Sequence, residues 1–270
     1  MRMPAGHLVR KKTSRLFVRA EWLACALFLF LCANATAVDQ VVALKAARLF
    51  DGKAKTLLQN GVVIVQGDKI AEVGSNLTIP KEAKVIDLGD ATLSPGFMDA
   101  HTHLTYDFTG TFTDVRLKVM EKNPSEHALC SIPRALATLE AGFTTVRDLG
   151  SRFFGSYDFV DVSLRNAIAK GVIAGPRMLV ATKGVGATGG HFDDTSGFRD
   201  MLFGHEPDYR DGIADGPEEI RRTVRFEVKN GADVIKAAVS GGVLSAVDEV
   251  DTPQFTPAEM EALVDEAHRL

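Results

Sequence analysis

The chain has 270 residues, 46% of them hydrophobic and 24% charged, ordinary globular proportions with enough apolar content for a real core. Its formal net charge is −4. Residues 1–37 carry six of the Lys/Arg and one of the Asp/Glu, so the remainder has 25 basic against 34 acidic residues, a net of −9. A surface of that sign does not attract phosphate backbones, which argues against nucleic-acid binding.

Residues 1–37 have the order of a secretory leader. Arg2, Arg10, Lys11, Lys12, Arg15 and Arg19 form a basic stretch, Leu23 to Cys32 an apolar run, and Ala35-Thr36-Ala37 a small-residue cleavage site. The run falls short of the about 20 residues a membrane span needs. An uncleaved N-terminal anchor is the alternative reading. Cleavage after Ala37 implies an exported protein, periplasmic or extracellular. Of the three cysteines, Cys25 and Cys32 lie in the leader, so Cys130 has no internal disulfide partner and stability must come from packing or metal.

Residues 38–94 read as short strands broken by turns. Val41 to Phe50 precedes Asp51-Gly52, Val62 to Gln66 precedes Gly67-Asp68, and Ile70 to Val73 and Val85 to Leu88 follow, the last before Gly89-Asp90. Runs of this length with Asp-Gly or Gly-Asp breaks predict a small antiparallel module.

From residue 95 to 270 the rhythm becomes strand, helix, strand. Predicted strands are Phe97 to His103, Thr144 to Asp148, Arg177 to Thr182 and Asp233 to Val239. The helix after the first opens at Asn123-Pro124-Ser125-Glu126, with Asn as cap, Pro at the first helical position and Glu at N3, and ends at Gly142. Helices 162–170 and 217–229 stop near Gly171 and Gly231, and the last opens on the capping box Thr256-Pro257-Ala258-Glu259. Such alternation predicts parallel βαβ units and the α/β class. Four units make half of an eightfold barrel, so the expected fold is a (β/α)8 TIM-like barrel truncated after about four βα units. A four-stranded open α/β domain is the alternative.

Two motifs carry the chemistry. In Pro95-Gly96-Phe97-Met98-Asp99-Ala100-His101-Thr102-His103, two histidines at i and i+2 on a strand share a face. At the C-terminal end of a barrel strand that face opens on the site, and imidazoles so placed bind Zn²⁺ or a similar ion. In Gly231-Ala232-Asp233-Val234-Ile235-Lys236-Ala237-Ala238-Val239, Lys236 sits mid-way along an apolar strand. A lysine shielded from water favours the neutral amine, which can add CO₂ to form a carbamate able to bridge two metals. A lysine paired with a carboxylate in the barrel mouth accounts for the spacing equally well.

With these two motifs the chain resembles the amidohydrolase superfamily. Thr144-Thr145-Val146-Arg147-Asp148, Gly175-Pro176-Arg177, Thr188-Gly189-Gly190-His191 and Ser240-Gly241-Gly242-Val243-Leu244-Ser245 narrow the resemblance to its Xaa-Pro dipeptidase and carboxypeptidase branch, the imidazolonepropionase-like group. The resemblance spans residues 41–270. It implies that His101 and His103 bind the more buried of two divalent metals, expected to be zinc, and that Lys236 is carbamylated between them. It also implies two further histidines from the fifth and sixth barrel strands and an aspartate from the eighth, none within residues 1–270, and a β-sandwich module begun by residues 38–94. The implied reaction is metal-dependent hydrolysis of an amide or peptide-like C–N bond in a dipeptide ending in proline, or in an N-acyl amino acid. Lactone or ester hydrolysis on the same site, and a non-catalytic truncated remnant, are the rival readings.

His191 follows Thr188-Gly189-Gly190 in the loop after the third strand, where it is expected to contact substrate and polarise its carbonyl; a locally bonded loop histidine is the plain alternative. Asp193 and Asp194 read as solvated loop charges and Arg147 as a structural ion pair. His127, His205 and His268 read as surface or packing residues, and Gly241-Gly242 as a tight loop. Expected partners are a small-molecule or dipeptide substrate, with no nucleic acid and no membrane beyond the export signal. A homo-oligomer is left open.

Overall fold

A computed structural model describes residues 40–151, 158–199, 202–243 and 248–270. The expected export signal lies outside the described residues. The chain divides into two compact units at Pro95/Gly96.

The first unit holds β1 (Val41–Leu49), β2 (Leu58–Gln66), β3 (Lys69–Ser75), β4 (Lys84–Asp87) and β5 (Thr92–Leu93). They form one sheet in the order β3-β2-β1-β4, with β5 also on β1. β2 and β3 join through a tight turn at Gly67-Asp68 in which Gly67 takes φ +60°, a conformation glycine adopts without steric cost. The β1–β2 and β2–β3 pairs are antiparallel as expected. The fully antiparallel module is corrected by β4 and β5, which pair with β1 in parallel at Val42↔Lys84 and Arg48↔Thr92. Parallel neighbours need a crossover connection, and the β2–β3 hairpin is itself that connection, returning the chain to the free edge of β1. Ala43, Ala46 and Leu49 of β1 bury with Val62, Val63 and Ile64 of β2.

The second unit is built on a parallel sheet of β6 (Phe97–Thr102), β7 (Phe143–Asp148) and β8 (Arg177–Val180), in that order. Two helices connect β6 to β7, α1 (Phe112–Glu121) and α2 (Pro124–Glu140), and α3 (Val160–Ala169) connects β7 to β8. Then come α4 (Pro217–Lys229) and α5 (Pro257–Arg269). Leu104, Val146, Met178 and Val180 pack on Ala135 of α2 and Leu164 of α3 in one core. Val185, Ala214 and Phe255 pack on Ile220 and Val224 of α4 and Leu263 of α5 in another.

Three expectations are revised here. Helix α1 was not foreseen, although Thr111 and Asp114 form a reciprocal capping box at its start. Asn123 stands at the N-cap of α2, but its side chain makes no capping hydrogen bond, and Pro124 at the first helical position opens the helix. The fourth strand does not form as a regular strand. Asp233 N and Val234 N both donate to Val180 O, after which pairing resumes only as an isolated parallel bridge, Val185↔Ala237. The cause is on the β8 side, where Thr182 (φ +58°) and Gly184 (φ +77°) turn the backbone out of the extended region between those two points.

Candidate active site

The Pro95-Gly96 entry positions β6 closely against β7. A Cβ on Gly96 would stand 2.2 Å from the Thr144 side chain, so only glycine allows this approach. His101 is exposed on β6 and His103 follows its last residue, half-buried. Their rings lie 5.2 Å apart at 65°, with Tyr106 and Phe108 edge-on to His103 at 5.8 and 5.9 Å. Thr102, between the histidines, turns the other way: its Oγ1 lies 3.3 Å from both Arg147 O and Asp148 Oδ2. Asp148 Oδ2 also accepts from Leu104 N at 2.5 Å, and Leu149 N donates to Thr102 O at 2.8 Å. The end of β7 therefore holds the histidine-bearing strand end from behind.

Burial pushes His103 down to about 4, helped by the charges of His101 and Lys236 and opposed by a backbone hydrogen bond with Gly150. Its Nδ1 is buried with no hydrogen-bond partner. Burial raises Asp148 to about 7; Asp161 adds repulsion while the Leu104 amide opposes the shift. Asp161, held by Val162 N and by Thr182 N at 2.8 Å, is raised to about 6, again chiefly by burial.

Lys236 is half-buried, and its carbonyl accepts from Val185 N at 2.7 Å. The segment leading to it is fastened by Asp233, whose role the sequence reading passed over. Asp233 Oδ2 accepts from Val180 N at 3.0 Å and from Arg165 Nη1 at 2.5 Å, and the same Nη1 donates to Gly231 O at 2.7 Å. An aspartate three residues before a mid-strand lysine was the available signal.

His191 lies on the loop after β8. Phe192 beside it packs over Gly184, close to the Lys236 carbonyl. His191 N donates to Gln254 Oε1 at 3.0 Å, and the imidazole rests on the Gly242 backbone, where a Cβ would stand 2.0 Å from Nδ1. The Gly241-Gly242 pair is thus a close-approach loop, with Gly241 against the Glu249 carbonyl. Asp193 is corrected: it is buried, accepts from Gly189 N (2.8 Å), Thr195 N (3.0 Å) and Thr195 Oγ1 (2.6 Å), and so ties the loop together. Arg147 donates Nε to Ala100 O at 2.7 Å, stitching β7 to β6. His127 is buried on α2 with Nε2 3.3 Å from Val119 O, His205 Nε2 lies 2.8 Å from Asp211, and His268 sits in the last turn of α5.

His101, His103 and Lys236 thus form one electrostatic cluster, and His191 belongs to the adjoining pair of loops. No cluster of three or more His, Cys, Asp and Glu suited to a metal occurs among the described residues. Two neighbouring imidazoles, one with an orphaned buried Nδ1, fit part of the donor set of a divalent cation. A carbamate on Lys236 would add the missing anionic oxygen and replace a positive charge by a negative one.

Residues 92–270 match the model of the amidohydrolase family. The ochratoxinase of Aspergillus niger is 30% identical over 247 residues, covering 85% of this chain and 48% of that protein. Among solved structures, a Xaa-Pro dipeptidase with methionine bound in its active site superposes with a TM-score of 0.76 at 34% identity, covering 85% of this chain and 54% of that one. A prolidase complexed with N-methylphosphonate-L-proline gives 0.70 at 30%, with the same two coverages. The chain spans about half the length of these relatives. The described residues have the mixed α/β fold of these structures, and the chain belongs to the amidohydrolase family.

Proposed function

We propose that the protein of which these residues are part is an exported, metal-dependent hydrolase of amide-type C–N bonds, acting on dipeptides with a C-terminal proline or on N-acyl amino acids. The observation that carries the reading is the placement of His101 and His103 at the end of the first parallel strand, with the charge of Lys236 reaching His103. Family membership and the likeness to a Xaa-Pro dipeptidase and a prolidase support the bond type and the substrate class. Membership also supports reading β6-β7-β8 as part of a (β/α)8 barrel, and the five-stranded sheet as part of a β-sandwich.

In this reading His101 and His103 would hold a divalent cation, and Lys236, as its carbamate, would add an anionic ligand for a pair of such ions; zinc is the proposed metal. When bound, such ions supply Lewis acidity toward a carbonyl oxygen and toward water. The protein's own residues orient and exclude. Asp148 and Thr102 fix the strand end that presents the imidazoles, Tyr106 and Phe108 shield His103 from water, and His191 donates to the substrate carbonyl. The test is metal content and turnover of Xaa-Pro dipeptides in the complete protein. Loss of both in the His101→Ala/His103→Ala variant is expected. Turnover that survives exhaustive chelation would refute the proposal.

A further inference from the structure

Three residues close a ring of contacts with His191. Its backbone N donates to Gln254 Oε1 at 3.0 Å, and Gln254 Nε2 donates to Asp248 Oδ2 at 2.9 Å. Asp248 Oδ1 accepts from Gly242 N at 3.3 Å, and the Gly242 backbone presses on the His191 ring, which completes the circuit. Gln254 is itself held by the backbone, through Gln254 N to Val239 O at 3.0 Å and the Ser240↔Pro253 bridge. The ring borders a cleft of about 290 Å³ whose lining includes Gly190, Asp248, Thr252 and Gln254.

We infer that Gln254 is a positioning residue which, with Asp248 and Gly242, presets His191 with Nδ1 sealed and Nε2 protonated. His191 Nδ1 is buried and has no hydrogen-bond partner. A buried N–H without an acceptor is rarer and costlier than a buried acceptor without a donor, so Nδ1 carries the lone pair and Nε2 the proton. Nε2–H is a donor, the role that polarising a carbonyl demands. A glutamine suits the circuit because one amide offers both the acceptor for His191 N and the donor for a carboxylate. The effect on turnover rests on the proposed substrate contact of His191; the effect on the ring itself does not.

The experiment is an amide–carboxylate swap in the complete protein, read by imidazole-nitrogen NMR on isotope-labelled histidine, with His191→Asn to assign the signals. Gln254→Glu sets carboxylate against carboxylate. Asp248→Asn sets amide against amide and leaves one oxygen for two donors. In Gln254→Glu/Asp248→Asn every donor again meets an acceptor, with the polarity of the central bond reversed. Each single variant is expected to move the His191 signals from the Nε2-protonated pattern toward mixed tautomers. Each is also expected to lower kcat about tenfold to a hundredfold, with KM and bound metal within about twofold of wild type. The double variant is expected to restore both readouts. Single variants with unchanged His191 signals, or a double variant no better than the singles, would overturn the inference. Signals that follow the swap while kcat does not would uphold the positioning and remove His191 from substrate contact.

Discussion

The charge of Lys236 adds to burial in keeping the His103 imidazole neutral, which suits a metal ligand but leaves an uncombined cation nearby. The proposed carbamate would replace that positive charge by a negative one, which attracts a divalent ion. Lys236→Ala is therefore expected to lose metal and activity, and short carboxylic acids should restore part of both by standing in for the bridging carboxylate. Full activity in Lys236→Ala, measured alongside metal content, would leave the residue a purely structural role. Asp148 offers a pH signature of the fold. Its carboxyl is raised from 3.8 to about 7, so between these values the folded state holds a proton that the unfolded chain has lost. Stability then falls as pH rises through that window, by about 1.4 kcal/mol per pH unit at most, and the full penalty stands above it. Asp161, raised to about 6, acts in the same direction. Asp148→Asn keeps an oxygen for the Leu104 amide and removes the charge. Denaturant midpoints at pH 5 and pH 8 should lie closer together in this variant than in wild type.

Helix α5 opens with a complete reciprocal cap: Thr256 Oγ1 accepts from Glu259 N, and Glu259 Oε2 accepts from Thr256 N at 2.7 Å. Glu259 Oε1 also accepts from Gly216 N at 2.7 Å, at the mouth of α4, so the cap joins two helices as well as starting one. Thr256→Ala should cost about 1 kcal/mol, and Glu259→Ala more, because it strands donors at both helix starts. Urea midpoints would order the two variants. In the five-stranded sheet a Cβ at Gly61 would fall 2.3 Å from Leu49 Cβ. Gly61→Ala should destabilise by about 1–3 kcal/mol through overpacking, visible as a lower thermal midpoint. Equal stability would show that β1 and β2 can part locally.

A ligand that binds only the folded state raises apparent stability by mass action, about 2.7 kcal/mol at a hundredfold excess over Kd. Zinc is thus expected to raise the thermal midpoint of the complete protein and chelation to lower it, with the zinc shift abolished in His103→Ala. A zinc-induced rise of the same size in His103→Ala would move the metal elsewhere. The periodic patterns and punctuation of this chain were enough to define the α/β alternation, three of the parallel strands, the Thr256 capping box and the His101-Thr102-His103 motif, because hydrophobic period, caps and side-chain alternation are local properties. Tertiary structure decided what depends on residues distant in sequence. Strand direction in the first sheet follows from which edge of β1 stays free. The irregular 233–239 segment follows from left-handed backbone at Thr182 and Gly184, on its neighbour. Asp193 is a local exception: its donors, Gly189 N and the Thr195 amide and hydroxyl, lie within four residues, and the fold of the loop itself turns an apparent surface charge into a buried tie. The Gln254–Asp248–Gly242 circuit around His191 joins residues up to 63 positions apart, and only packing brings such groups within hydrogen-bonding reach.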